Sequence, residues 1–292
     1  MLFRVLLFAG LLVAGLVTAY QFYALEMFNF LVPKDAASQR IAEDVSFGPD
    51  PRLKLDIYAP REGNGPWPTV LFVHGGSWSS GSKAPYEFVG RALAAQGYLA
   101  ILPQYRLHPE HQFPAFVEDT ALAIDWATRH AAEYGGDQKR VFLSGHSAGG
   151  YNVALAVLDK KYLTALGTDT AAIKGVVLLA APADFLPLDS EISIRVFKDV
   201  PDLPSTQPIN FARADAPPFL ILHGTADTTC MPKNSINLQH RLKELGTEAD
   251  LKLYQGVSHV DIMLALARPL RGKAQTLQDI SAFIQAHGAK LQ

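Results

Sequence analysis

The chain alternates between short apolar runs and longer amphipathic segments over most of its length. Continuous apolar runs bounded by turn residues are typical of strands that are covered on both faces of a sheet. Segments with apolar residues three and four positions apart are typical of helices that pack against such a sheet. Strands that alternate with helices therefore predict an α/β domain with a mostly parallel central sheet and helices on both faces.

The elements can be assigned to approximate positions along the chain. The apolar runs predict strands at 53–58, which is expected to be antiparallel, and at 69–73, 98–102, 141–143, 175–180, 219–222 and 251–254. The amphipathic segments predict helices at 86–96, 116–130, 148–158, 234–245 and 275–286. The proline-rich segment at about 182–217 is too long for a simple connection, so we interpret it as a short inserted lid over a site.

The N-terminus carries a long apolar segment, with no charged residue from Val5 to Leu25. A run of this length is sufficient to cross a bilayer as a helix. Arg4 and the small residues Val17-Thr18-Ala19 also fit a cleaved secretory signal. Because apolar and aromatic residues continue to Leu31, an uncleaved membrane anchor is the favoured interpretation. Either alternative places most of the chain outside the cytoplasm: anchored to the membrane, or secreted or periplasmic if the segment is cleaved.

These patterns divide the chain into residues 1–31 as a hydrophobic N-terminal helix that is an anchor or signal, 32–43 as a linker, and 44–292 as the folded domain. The chain has 292 residues and a formal net charge of −2, and no basic face is evident, so nucleic acid is not an expected partner. Its single cysteine, Cys230, excludes an intrachain disulfide. No Cys/His spacing predicts a metal site. Nothing in the sequence fixes the oligomeric state.

The most informative motif is Gly145-His146-Ser147-Ala148-Gly149, which follows the apolar run at 141–143 and precedes an alanine-rich helical segment. This pattern predicts a sharp strand-to-helix turn that exposes Ser147, with glycines where neighbouring backbones come close. The amide of Ala148 is then available to stabilise an oxyanion. The alternative is a glycine-rich turn that carries a surface serine without a chemical role.

A serine hydroxyl becomes a nucleophile when a base removes its proton and a third group orients that base. Asp227 follows the predicted strand at 219–222, and His259 follows the one at 251–254. The carboxyl ends of parallel strands meet at one edge of a sheet, and the order Ser, Asp, His is one that strand-turn-helix nucleophiles use. We therefore predict Ser147 as the nucleophile, His259 as the base and Asp227 as the orienting acid.

Competing interpretations exist for these positions. Asp227 is also compatible with a simple turn or helix-cap residue. Asp184 and Asp261 are alternative acids, although Asp261 is close to His259 in sequence. His223 directly follows a strand and is interpreted as structural, and the side chain of His146 is expected to point away from the nucleophile.

A second glycine turn follows the predicted strand at 69–73. Its main-chain N–H groups at Gly76 and Ser77 are expected to share an oxyanion hole with Ala148. The alternative is a plain glycine turn. An apolar acyl pocket is expected to be lined by Trp78, Phe185, Phe197 and Val260.

Together, several motifs resemble the α/β-hydrolase superfamily, and more closely its carboxylesterase branch. That branch includes hormone-sensitive-lipase-like esterases, feruloyl-esterase-like proteins and arylformamidases. The resemblance spans about residues 44–286 and implies the α/β-hydrolase fold, the triad and the two-part oxyanion hole at the positions named above. It departs where Ser77 replaces a third glycine. The motifs that carry it are His74-Gly75-Gly76-Ser77-Trp78, Tyr105-Arg106-Leu107, Gly145-His146-Ser147-Ala148-Gly149-Gly150, His223-Gly224-Thr225-Ala226-Asp227 and Ser258-His259.

The expected function is therefore that of a serine hydrolase that cleaves a small-molecule carboxylic ester through an acyl-enzyme. Neither a metal nor an organic cofactor is expected. Two alternatives remain open: an amide-directed hydrolase, such as an arylformamidase or peptidase, and a non-catalytic binding protein of the α/β-hydrolase fold.

Overall fold

Eight strands form a single sheet in the computed structural model, which describes residues 24–288. They are β1 (Ser38–Ser46), β2 (Lys54–Pro60), β3 (Trp67–Val73), β4 (Leu99–Pro103), β5 (Gly136–His146), β6 (Ile173–Leu179), β7 (Phe219–Gly224) and β8 (Ala249–Tyr254). Their order across the sheet is β1-β2-β4-β3-β5-β6-β7-β8. The strand β2 pairs antiparallel with both β1 and β4, and all other pairs are parallel. The predicted, mostly parallel sheet is confirmed.

Helices cover both faces of this sheet, as predicted. The helices α1 and α8 enclose one apolar core, and α2, α3 and α6 enclose the other. Short helices that the sequence pattern did not predict follow α3, interrupt the segment 182–217 and follow β8. The helices are α1 (Glu87–Ala95), α2 (Ala115–His130), α3 (Ala148–Leu158), α4 (Lys161–Leu166), α5 (Glu191–Phe197), α6 (Lys233–Glu244), α7 (Asp261–Leu264) and α8 (Thr276–His287).

The sheet begins at Ser38, inside the segment that the sequence indicated as a linker. The strand β1 lies at the sheet edge and is exposed along much of its length, so it lacks the apolar run that marks the other strands. A positive φ of 55° at Asp44 accompanies the irregular pairing of β1 with β2. The ammonium group of Lys83, which is buried, lies 2.7 Å from Asp44 and 2.6 Å from Asp56 and ties the two strands together.

Residues 24–31 are helical and pack against the beginning of α1. The rings of Phe28 and Phe88 meet edge to face at 5.3 Å. The side chain of Asn29 bonds to the carbonyl of Ala84 and accepts from the amide of Phe88. Most of the predicted anchor, residues 1–23, lies outside the described residues. Among residues 24–288, no helix is both long and apolar enough to span a bilayer.

Close backbone contacts fix the turn between β5 and α3. A Cβ atom at Gly149 would lie 2.2 Å from the carbonyl oxygen of Val73 and 2.4 Å from that of His74. A Cβ atom at Gly145 would lie 2.5 Å from the backbone of Gly149. The first turn of α3 therefore rests directly on the end of β3, as the glycine spacing predicted.

We expect Gly149→Ala to destabilise the fold by about 1–3 kcal/mol, because the added methyl group meets backbone atoms that have no rotamer by which to move away. Gly272→Ala is the matched control, since a Cβ atom there meets nothing within 4 Å. It should change stability by no more than about 0.5 kcal/mol. Urea unfolding of both variants measures the difference, and equal stabilities would contradict the close contact.

Candidate active site

Ser147 lies at the tip of the turn between β5 and α3. Its backbone has φ 54° and ψ −124°, a conformation that non-glycine residues rarely adopt. Strain of this kind costs on the order of 1–3 kcal/mol and persists where the surroundings hold it in place. The amide of Ser147 donates to the carbonyl of Leu179 at 2.9 Å, and the glycine contacts hold the other side of the turn. The hydroxyl is thereby directed to the carboxyl edge of the sheet.

The structure brings the three predicted side chains together at this edge. The Oγ atom of Ser147 lies 2.9 Å from Nε2 of His259. The Nδ1 atom of His259 lies 2.7 Å from Oδ2 of Asp227. The aspartate side chain is fully buried, whereas the imidazole retains 11% exposure, so solvent reaches the imidazole but not the carboxylate.

Asp227 is held by donors on both of its carboxylate oxygens. The amides of Thr229 and Cys230 donate to Oδ1 at 2.9 and 2.8 Å. The imidazoles of His223 and His259 approach Oδ2 at 3.1 and 2.7 Å. Burial opposes ionisation, but the hydrogen bonds from His223 and His259 outweigh it and hold the pKa of Asp227 well below its usual range. Asp227 is therefore both a turn residue, capping its own loop, and the partner of His259.

His223 was interpreted from the sequence as a structural residue, but it also contacts the buried carboxylate. Its Nε2 atom lies 2.7 Å from the carbonyl of Cys230 and 3.1 Å from Asp227. Because both groups only accept hydrogen bonds, Nε2 carries the proton and Nδ1 accepts from the hydroxyl of Ser235 at 2.6 Å. The four-residue spacing of His223 and Asp227 was the available signal for this contact.

His146 contacts the loop that carries His259. Its Nε2 atom donates to the main-chain carbonyl of His259 at 2.8 Å, and the two rings lie 4.8 Å apart. Burial, with a smaller contribution from the neighbouring His259, lowers the pKa of His146 to about 3. Its position beside Ser147 was the only hint in the sequence of this supporting role.

The two alternative acids have other partners. Asp261 accepts from the hydroxyl of Ser258 at 2.7 Å and pairs with Lys273 at 2.6 Å. The carboxylate of Asp184 accepts from the side-chain amide of Asn237 at 2.6 Å. Of the three candidate acids, Asp227 is the one within hydrogen-bond distance of the His259 ring.

The second glycine turn faces the nucleophile across a pocket. Gly76 has φ 134°, and a Cβ atom there would lie 2.1 Å from the carbonyl oxygen of Ser80. Ser77 has φ 54°, which a glycine would adopt without strain. Ser77 and Ala148 line the same pocket as Ser147, whereas Gly76 lies outside its lining and shapes the turn. The amide of Ala148 opens α3, where main-chain N–H groups lack intrahelical acceptors.

Buried aromatic residues support this turn from behind. The amide of Gly75 donates to the hydroxyl of Tyr86 at 3.2 Å, and the hydroxyl of Tyr105 donates to the carbonyl of His74 at 3.2 Å. The rings of His74 and Tyr105 stack at 4.5 Å. Burial lowers the pKa of His74 to about 4, so this imidazole is neutral near pH 7.

The pocket beside Ser147 has a volume of about 110 Å³. Trp78 and Phe185 line it, as predicted from the sequence. Phe197 and Val260 do not belong to its lining. Phe197 is fully buried and packs edge to face on Trp78 at 4.9 Å. Val260, the residue before α7, is 48% exposed at the surface.

Cys230 also lines the pocket, and its side chain is buried. Burial, together with the nearby negative charge of Asp227, raises the pKa of its thiol. A protonated thiol is a poor nucleophile, so Cys230 is best described as a small buried apolar residue. Within residues 24–288, no group of three or more His, Cys, Asp or Glu side chains is arranged to hold a metal ion.

The sheet order and the serine on a strained strand-to-helix turn define an α/β-hydrolase. Crystal structures of two esterases share this fold. Inhibited esterase B of Lactobacillus rhamnosis matches with a TM-score of 0.80 at 20% identity, over 96% of each chain. The hyperthermophilic esterase of the archaeon Pyrobaculum calidifontis matches with a TM-score of 0.75 at 24% identity, over 93% of each chain.

The BD-FAE family model matches residues 55–242, and the chain belongs to this carboxylesterase-type family. Esterase LipC of Mycobacterium tuberculosis is 32% identical over 68% of this chain and 54% of its own length. Isoprenylcysteine alpha-carbonyl methylesterase of Arabidopsis thaliana is 28% identical over 85% of this chain and 63% of its own length. The chain thus spans somewhat more than half of the length of these curated relatives.

Stability should decrease as the pH falls from about 6.5 towards 4. The folded-state pKa values of His74 and His146, about 4 and about 3, lie below the ordinary value of 6.5. The unfolded chain therefore binds protons in this window that the folded chain does not. Each histidine should contribute a slope of up to about 1.4 kcal/mol per pH unit to the free energy of unfolding. Urea unfolding at several pH values from 7.5 to 4.5 measures the slope.

The variant His146→Gln isolates one of the two contributions. Whatever its absolute stability, the slope of its free energy of unfolding against pH should be smaller than that of the wild type by the contribution of about one proton. The ordinary pKa of Asp227, 3.8, lies below this window, and the folded state lowers it further. The contribution of Asp227 to stability is therefore lost only below pH 3.8. A stability that is independent of pH between 7.5 and 5 would show that the buried histidines take up protons in the folded state.

Proposed function

We propose that this chain hydrolyses carboxylic esters, with Ser147, His259 and Asp227 as its catalytic triad. The observation that carries the proposal is the continuous hydrogen-bonded line from Ser147 Oγ through both nitrogens of His259 to Asp227, with distances of 2.9 and 2.7 Å. The names of the curated relatives, which include an esterase and a methylesterase, agree with this chemistry.

Each member of the triad has a distinct task. The ionised Asp227 accepts a hydrogen bond from Nδ1–H of His259, so the lone pair of Nε2 is directed at the hydroxyl of Ser147. As Ser147 attacks the acyl carbonyl, its proton moves to Nε2. The imidazolium that forms is stabilised by the adjacent carboxylate. The donors on both oxygens of Asp227 keep that carboxylate ionised and fixed in position.

The negative oxygen of the tetrahedral intermediate is expected to lie between the two turns. The amide of Ala148 approaches it from the helix side and the amide of Ser77 from the opposite turn, which Gly76 shapes. Loss of one such donor typically costs about 3–4 kcal/mol of transition-state stabilisation. The positive φ values at Gly76 and Ser77 support this role, because they set the direction of the main-chain N–H groups.

The intermediate collapses when His259 returns the proton to the leaving alcohol, and the acyl group remains on Ser147. A water molecule then attacks the acyl-enzyme while His259 accepts its proton. The second intermediate releases the carboxylic acid and restores the serine hydroxyl. The products are one alcohol and one acid for each ester and water consumed, and the proton balance closes on His259.

The substrate we propose is a small-molecule ester with a short acyl group. The volume of about 110 Å³ beside Ser147 lies below the roughly 300–1,000 Å³ that is typical of pockets for drug-sized ligands. Trp78 and Phe185 offer apolar contact to that group. We interpret the segment 182–217 as the lid of the pocket, since Phe185 and Ile192 from this segment line its wall.

We also propose that residues 1–31 anchor the chain to a membrane, with the catalytic domain outside the cytoplasm. The absence of charge from Val5 to Leu25 supports a membrane-spanning segment, and Arg4 before it favours a cytoplasmic N-terminus. The full chain expressed in cells should remain with the membrane fraction after a carbonate wash. Release of a protein whose N-terminal peptide begins after Ala19 would instead identify a cleaved signal.

Replacing the nucleophile gives the most direct kinetic prediction. Ser147→Ala should lower kcat on short p-nitrophenyl esters by about 10⁶-fold, to the level of residual binding and oxyanion stabilisation. Ser46→Ala, which removes an exposed hydroxyl on the edge strand, should retain wild-type kcat. A Ser147→Ala protein that turns over esters at the wild-type rate would place the nucleophile elsewhere.

The orienting acid can be tested against Asp261, the alternative acid that is close to His259 in sequence. Asp227→Asn should lower kcat by on the order of 10³–10⁴-fold, because an amide cannot stabilise the imidazolium or enforce the required tautomer. Asp261→Asn is the matched control, since Asp261 contacts Ser258 and Lys273 rather than the ring of His259. Its kcat should stay within a few-fold of the wild type. Equal losses in both variants would contradict the assignment.

A further inference from the structure

Exposed large apolar side chains are unevenly distributed over residues 24–288. Two of them, Ile41 and Leu253, lie within the outermost strands β1 and β8. The others belong to segments around the carboxyl edge of the sheet, where Ser147 lies. We call this second group the apolar rim; it consists of Met27, Phe30, Leu31, Ile194, Met231 and Val260.

One side of the apolar rim is the helical segment 24–31. It rests on the turn before α1 through the bond from Asn29 to the carbonyl of Ala84. That turn also contains Tyr86. The hydroxyl of Tyr86 accepts a hydrogen bond from the amide of Gly75, which belongs to the turn that carries Gly76 and Ser77. We call this turn the oxyanion loop. The segment therefore lies beside the active-site edge. It directs outward the side chains of Met27, Phe30 and Leu31, which are 52%, 86% and 71% exposed.

The other members of the apolar rim lie next to the reacting groups. Val260 directly follows His259, and Met231 lines the pocket beside Ser147. Ile194 belongs to α5. The residue after it, Arg195, donates to the hydroxyl of Ser79 at 3.2 Å, close to the oxyanion loop. Apolar residues thus border the pocket on more than one side.

The sequence that leads into this rim indicates what covers it. The uncharged run from Val5 to Leu25 is long enough to cross a bilayer, and it continues directly into the helix that carries Phe30 and Leu31. An apolar face at the end of such a run lies at the depth of the membrane interface, where Phe and Leu side chains enter the boundary between headgroups and acyl chains. An exposed apolar patch that is not connected to such a run would give no indication that a membrane covers it.

We propose that the apolar rim rests on the surface of a lipid bilayer, so that the mouth of the pocket faces the membrane. If the proposed ester hydrolysis is correct, the substrates that profit are amphiphilic esters whose apolar part resides in the bilayer. Such a substrate would reach Ser147 without crossing bulk water. The orientation itself does not depend on catalysis.

Cysteine substitutions labelled with a polarity-sensitive nitrobenzoxadiazole dye test this orientation in the full chain, reconstituted in phosphatidylcholine vesicles. The rim positions are Ile194→Cys and Val260→Cys, which are distant in sequence from the N-terminal segment. The control positions are Ile41→Cys, which is nearer to that segment but lies in the edge strand, and Lys243→Cys, at the far end of α6. Labelled wild type reports the background from buried Cys230.

Dyes at 194 and 260 should shift their emission to shorter wavelength on reconstitution and should be quenched several-fold by brominated acyl chains. Dyes at 41 and 243 should keep the emission that they have in water. If all four dyes remain in water, or the chain does not associate with the vesicles, the proposed orientation is wrong. Lipid contact at 41 but not at 194 and 260 would also overturn it, by showing a tethered domain with another orientation. Because no turnover is measured, these results are independent of the proposed reaction.

Discussion

The hydrogen bond between Asp227 and His259 is the interaction on which the rest of the site depends. It joins the loops after two adjacent strands, β7 and β8, and it fixes the ring nitrogen that faces Ser147. The carboxylate is held in turn by main-chain amides and by His223, while His146 holds the carbonyl of His259. His259 is therefore positioned through its ring and through its backbone.

Two strained turns complete the arrangement from the other side of the pocket. Ser147 and Ser77 both have φ 54°, although neither is a glycine. The close approach of Gly149 to the end of β3 brings these turns together, because the chain after β3 carries Ser77 and the chain after β5 carries Ser147. Direct backbone contact between the two elements thus sets the distance between the nucleophile and its proposed oxyanion donors.

Much of the sheet was predictable because its central strands are covered on both faces and read as continuous apolar runs. The edge strand β1 was not, since one exposed, polar strand resembles a linker. The meeting of Ser147, Asp227 and His259 was predictable because each follows a predicted strand, and the carboxyl ends of parallel strands lie at one edge of the sheet. Phe197 was misplaced because an apolar residue in a lid-like segment can face the pocket or the core, and only packing against Trp78 decides between them. The contacts of His223 and His146 depend on loop geometry, at which their positions in the sequence only hint.

The most direct test of the proposed machinery is a crystal structure of the chain after reaction with a p-nitrophenyl alkylphosphonate. The account predicts phosphorus bonded to Oγ of Ser147, with the phosphoryl oxygen accepting from the amides of Ala148 and Ser77 at about 2.7–3.1 Å. The imidazole of His259 should lie beside the ester oxygen. Phosphorus on another residue, an unreacted Ser147, or a phosphoryl oxygen turned away from both amides would contradict it.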